Sequence, residues 1–237
     1  VVFTAMASIR LALIFRIAPV MMVPFILIAG LCLGWRDALF ALSLYLFTYI
    51  IPDDGESGGG FGVQILFGLV VAFGAYWSFN RGAVALIAFG LPIIWLSTRD
   101  RRYAVSIAAT VLGFLIIGAI APGVGIRDYF ENFLMLLQTS SQWSYPRTLS
   151  RDLWWVLTVG MTACAIGVAV LRVSRDTHSE AQLVLISALL IASVIYMKIG
   201  VGRVDQTHVV MGVWLPLPVI TLLMQSIHLR RLSSIQF

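Results

Sequence analysis

Charge is scarce in this chain. Only 11% of its 237 residues are Asp, Glu, Lys or Arg, against about 25% in ordinary soluble domains. A composition that is 60% hydrophobic, with mean hydropathy +0.96, carries more apolar surface than a globular core of this length can hide. Lipid can take it up, so the composition points to a bilayer. Lysine is nearly missing: Lys198 stands alone beside fifteen arginines. Cysteine is scarce too. Cys32 and Cys164 both lie in apolar runs, which excludes a disulfide framework and a cysteine metal motif and leaves small packing residues. Nucleic-acid binding needs a basic face with interleaved aromatics on a soluble module, and none is present. The opening VVFTAMASIR has neither an initiator Met nor a signal-peptide n-region, and reads as the start of a fragment of a longer protein.

What is abundant is apolar runs. A bilayer-spanning helix needs about 20 residues. Eight segments approach that length: Ile17–Gly34, Ala38–Pro52, Phe61–Phe79, Gly82–Ser97, Tyr103–Ala121, Leu153–Leu171, Gln182–Met197 and Val209–Ile227. The second and fourth are short, which suits tilted, re-entrant or shielded elements. The expected fold is therefore an all-α polytopic transmembrane bundle of about eight helices, with residues 1–237 as one integral membrane domain. Residues 122–152 form the one long connection, expected on the outer side. Within it DYFENFLMLLQ has apolar residues at helical spacing and acids early, the pattern of a short interfacial helix.

Arginine placement orients the chain. With a cytoplasmic N-terminus, Arg10, Arg16, Arg99, Arg101, Arg102, Arg172, Arg175, Arg230 and Arg231 fall inside. Outside fall Arg36, Arg81, Arg127, Arg147, Arg151, Arg203 and Lys198. In this arrangement the long loop and the polar stretch KIGVGRVDQTHVV, residues 198–210, share the outer side and can build one site.

That polar stretch gathers Lys198, Arg203, Asp205 and His208 between two apolar runs. Asp205 and His208 are three apart, so one helical turn sets them on one face. Asp205 is a candidate general base or a holder of the His208 tautomer. Arg203 has the planar fork for a phosphate, and Lys198 adds a point charge. The same spacing also fits an Arg–Asp pair with a headgroup-level His at a helix end. Trp143, Tyr145 and Arg147 in the long loop are candidates for stacking on a sugar ring and joining Arg203, or for an aromatic belt. Asp53, Asp54 and Glu56 in IPDDGESGGGFG leave a divalent cation open as a cofactor, although a flexible acidic turn explains them as well. Asp205 and His208 alone make no metal site, since further ligands are required.

The Arg-x-Asp-x-x-His stretch and the preceding YFENFLMLLQTSSQWSYPRTL resemble segments of bacterial multispanning glycosyltransferases that use lipid-linked sugars. The two stretches cover about a quarter of the chain. The resemblance implies an inner-membrane enzyme with a polyprenyl-phosphate sugar donor, acting in envelope polysaccharide or glycolipid synthesis. Its substrates meet on the outer face among membrane lipids. It implies catalytic Asp205 and His208 and substrate-binding Arg203, Lys198, Arg147, Tyr145 and Trp143. One departure stands out. Such enzymes carry their catalytic acid in the first outer loop, which here is only Trp35, Arg36 and Asp37. A transporter or flippase for a lipid-linked or anionic solute is the other class, and a non-catalytic membrane subunit the third.

Overall fold

The computed structural model describes residues 2–32, 37–51, 59–121, 125–139, 149–174, 178–202 and 213–224, and all regular structure among them is helical. The helices are α1 (Val2–Ile14), α2 (Val23–Cys32), α3 (Ala38–Ile50), α4 (Phe61–Trp77), α5 (Phe79–Arg99), α6 (Ala104–Ile120), α7 (Ile126–Thr139), α8 (Leu149–Val173) and α9 (Glu180–Gly202). A further helical stretch, α10, covers 213–224 with a turn at Leu215. The all-α expectation holds.

Among the described residues four segments are long and apolar enough to cross a membrane: Arg81–Arg99, Arg101–Ile120, Trp155–Val173 and Glu180–Lys198. This is the architecture of an integral membrane protein. The segment expected to be short at Gly82–Ser97 is 21 residues long as α5. Conversely, α3 has only 13 residues, roughly 20 Å of helix, too short for a hydrocarbon core of about 30 Å. It is wrapped by its neighbours instead, with eight of its side chains buried. α8 begins at Leu149, inside the stretch expected to be loop up to Asp152.

α1 lies outside all eight expected spans. Its buried residues Thr4, Ala7, Ser8, Leu11 and Ala12 follow helical spacing. Thr4, Ser8 and Arg10 dilute its hydropathy, so a search for long apolar runs passes it by. Ser8 and Arg10 both find partners. Ser8 Oγ donates to Thr4 O at 2.6 Å, and the Arg10 guanidinium lies 4.3 Å from the centre of the Tyr49 ring. α1 ends on Arg16 at φ 54°. Ile17 N–H donates to Ala12 O and Arg16 N–H to Leu13 O, the Schellman pattern, with Arg16 where glycine is usual.

Cross-contacts define the two ends of the bundle. At one end Gln182 Nε2 donates to Ile14 O at 3.0 Å, and Arg99 pairs with Glu180. Arg101, Arg102 and Arg172 belong to helix ends here, so this end is arginine-rich. At the opposite end Asp37, before α3, meets Arg81 in the first turn of α5. α9 arrives there too, since Tyr196 packs on Phe40. α4 packs most extensively on α6 through small residues. A methyl group on Gly68 would come within 2.7 Å of Ala109 Cβ and of Ser106 O, which is the close approach that membrane helices use in place of a hydrophobic drive.

α7, Ile126–Thr139, covers the stretch expected to form a short amphipathic helix. Gly125 N–H donates to Asp128 Oδ2 at 3.2 Å and Arg127 pairs with Glu131 one turn on. Tyr129 Oη donates to Ala75 O at 3.2 Å, and its ring rests on Tyr76 and Phe114. This docks α7 at the Asp37 end of the bundle, with Phe130, Leu134 and Met135 left exposed.

Candidate functional site

A bundle end that holds a buried charge needs a reason, because taking an ion out of water costs several kcal/mol. Asp37 stands just before α3, where a side chain usually caps the helix, yet its carboxylate caps nothing. Instead Oδ1 accepts from Arg81 Nε at 3.0 Å, with the Asp37 side chain 1% exposed and that of Arg81 13%. The two are 44 residues apart and meet because the end of α4 lies against the starts of both α3, at Leu39, and α5. A methyl group on Gly82 would fall on the Ala75 backbone, so only glycine permits that approach.

Beside the pair stands an aromatic cluster. Tyr196 lies within electrostatic reach of both Asp37 and Arg81. Its ring meets Phe40 at 5.5 Å and Trp214 at 6.3 Å, and Trp214 stacks on Phe25 at 5.2 Å. Tyr196 and Trp214 are completely buried. Among the described residues neither the Tyr196 hydroxyl nor the Trp214 indole N–H has a hydrogen-bond partner. Leaving a buried donor unsatisfied costs about 1–3 kcal/mol, so two in one cluster call for an explanation.

The chain leaves this cluster at Tyr196 and is back in it at Trp214. Lys198 follows one anchor by two residues, and it is exposed on the last turns of α9. Arg203, Asp205 and His208, like Trp143, Tyr145 and Arg147, lie outside the described residues, as do Asp53, Asp54 and Glu56. Both flanks of 203–212 nevertheless end at the Asp37–Arg81 cluster. The helix that leads into 140–148, α7, is docked at this same end. The described flanks of the two polar stretches thus lie at one end of the bundle.

Sequence reasoning did not pair Asp37 with Arg81, nor did it single out Tyr196 or Trp214. A charged residue at each of two helix starts was the available signal for the pair. Nothing in spacing links positions 37, 81, 196 and 214. Among the described residues no three of His, Cys, Asp and Glu gather into a metal-binding group.

No family model, curated protein or solved structure matches this chain.

Proposed function

We propose that this protein is part of an integral membrane glycosyltransferase that transfers a sugar from a polyprenyl-phosphate carrier in envelope polysaccharide or glycolipid synthesis, in a bacterial inner membrane. The observation that carries the reading is the closure of the chain on itself. Tyr196 and Trp214, which flank the Lys198–His208 segment, share one cluster with the buried Asp37–Arg81 pair. A polar segment whose described flanks meet beside the Arg81 guanidinium suits an anionic ligand rich in acceptor oxygens, as a sugar phosphate is.

In this reading Arg203 and Lys198 take up the negative charge that grows on the departing phosphate. Asp205, held with His208, removes the proton from the acceptor hydroxyl. The acceptor oxygen bonds to the anomeric carbon as the carbon–phosphate-oxygen bond breaks. Trp143, Tyr145 and Arg147 line the sugar. Asp37 is not the base: its carboxylate is 1% exposed and committed to Arg81, so it positions that guanidinium. Transport is the weaker reading, because this ion pair lies at the starts of two helices and not in mid-span.

The test uses the complete parent protein in its host, with Asp205→Asn and His208→Ala made separately. Membrane abundance is measured first, then surface glycan and lipid-linked sugar. Normal abundance with lost glycan and accumulated carrier-linked sugar is the expected outcome. Transfer in vitro by wild type and not by Asp205→Asn separates enzyme from flippase. Unchanged glycan at normal abundance sinks the proposal.

A further inference from the structure

α5 and α6 are consecutive antiparallel helices, yet each packs more on α4 than on the other. Between them lies a cavity of about 170 Å³, somewhat larger than an engineered apolar cavity of about 150 Å³ that admits benzene. Its floor is Phe67 and Val71 of α4, its walls Leu86 and Ile93 of α5 and Ile107 and Val111 of α6. Ile94 and Val111 at its edge are about half exposed, so it opens sideways. Both walls belong to segments apolar and long enough to cross a membrane, so in a bilayer that they span the opening faces hydrocarbon.

Gly90 supplies the space. It lines the cavity, and a methyl group there would meet nothing within 4 Å. The two polar groups in the wall are already satisfied internally. Ser106 Oγ donates to Gln64 Oε1 at 3.5 Å and Thr110 Oγ1 to Ser106 O at 2.8 Å. The cavity therefore presents an apolar lining to its occupant.

The turn that joins the two walls is the arginine-rich turn. Arg102 is four residues before Ser106, roughly 6 Å along a helix axis. Asp100 Oδ1 accepts from Arg102 N–H at 2.9 Å and so caps the turn, while Oδ2 pairs with the Arg102 guanidinium. Arg99 is held by Glu180 and lies over the Trp95 ring at 4.2 Å. Arg101 is exposed and has no carboxylate partner among the described residues. Three arginines against Asp100 and Glu180 leave a net positive charge at the mouth of an apolar groove.

We propose that this groove and turn form a binding site for an anionic phospholipid of the adjoining leaflet. One acyl chain lies between α5 and α6 over Gly90, and the phosphate sits at Arg101 and Arg102. A zwitterionic lipid fits the groove equally but gains less from the turn. The site is at the opposite end of the bundle from Asp37 and stands independently of the sugar-transfer reading.

The full-length protein in nanodiscs of phosphatidylglycerol and phosphatidylcholine is the test, with retained lipid counted by native mass spectrometry. Wild type is expected to retain phosphatidylglycerol in preference. Replacing Arg101 and Arg102 by Gln should cut that preference by about five-fold per arginine, leaving the Asp100 cap to the Arg102 backbone. Gly90→Leu should fill the groove and reduce retention of both lipids, whereas Gly90→Ala, which has open space around it, should retain them. Equal retention of the two lipids by wild type overturns the proposal. So does unchanged phosphatidylglycerol retention in the arginine variant, which decides the matter even where Gly90→Leu fails to fold. Soluble glycerol phosphate that displaces the lipid would point to a headgroup site alone and also overturn it.

Discussion

Arg81 Nε and Asp37 Oδ1 meet at 3.0 Å at the starts of α5 and α3, in a setting where the carboxylate is 1% exposed. Removing one partner of such a pair strands the other. Arg81→Ala is expected to destabilise the protein by about 3–5 kcal/mol. The double variant Asp37→Leu/Arg81→Met should recover much of that loss, because no uncompensated charge remains. Detergent-solubilised unfolding curves for the single and double variants measure both. A single variant as stable as wild type would mean that the pair is open to water.

Arg99 and Glu180 make a pair of similar length, 3.2 Å, but with side chains 58% and 44% exposed. Solvent screens it, and exposed pairs contribute about 0–1 kcal/mol. Glu180→Gln is expected to leave the same unfolding curve nearly unmoved, in contrast to Arg81→Ala.

Gly68 stands where the α4 backbone comes closest to backbone atoms of α6 among the glycines of this helix pair. A methyl group there would lie 2.7 Å from Ser106 O and 2.8 Å from Thr110 N, both backbone atoms that cannot swing aside. Gly68→Ala should cost about 1–3 kcal/mol through forced separation of the helices. Gly160 in α8 has nothing within 4 Å of a methyl group. Gly160→Ala should instead stabilise by about 0.5–1 kcal/mol from helix propensity alone. Opposite signs at two helical glycines are the readout; a common sign contradicts the packing account.

Burial at the docking face of α7 pushes the Tyr129 phenol up to about 12, with Tyr76 adding to the effect. The neutral form is the one that the fold favours. Its contribution is fully present below the ordinary value of 10.0 and declines as pH rises through about 12. Tyr129→Phe removes the bond to Ala75 O, at about 0.5–1.5 kcal/mol. It should also remove one phenol from the late phase of phenolate absorbance on alkaline titration. A titration with no late phase for Tyr129 to own would contradict the burial of that phenol.

α7 was the most legible element. Its apolar residues recur every three or four positions, with Asp128 in the first turn and Glu131 near it, and its helicity and two-faced character follow from that pattern. α9 is the reverse case. It is apolar on nearly every side, so the sequence marks it as a span without marking which face packs on which neighbour. Lengths were legible only in part. α3 reads as a span by hydropathy but is too short, and its eight buried side chains show that neighbouring helices, not lipid, cover it. α1 was missed because Thr4, Ser8 and Arg10 lower its hydropathy.

By itself the sequence determined the helical class, the demand for a membrane and the arginine-rich end. Those follow from how many apolar residues stand in a row, because backbone groups in lipid must be satisfied within their own segment. Only the tertiary structure decided that Asp37 meets Arg81, that Tyr196 and Trp214 close the chain beside them, and that Gly90 leaves a groove between α5 and α6. The physical reason is that neighbours are chosen by shape. Gly82 lets α5 start against Ala75, and Gly68 seats α6 on α4, leaving α5 and α6 apart. Steric fit of that kind leaves no periodic trace along helices that, like α9, are apolar on nearly every side.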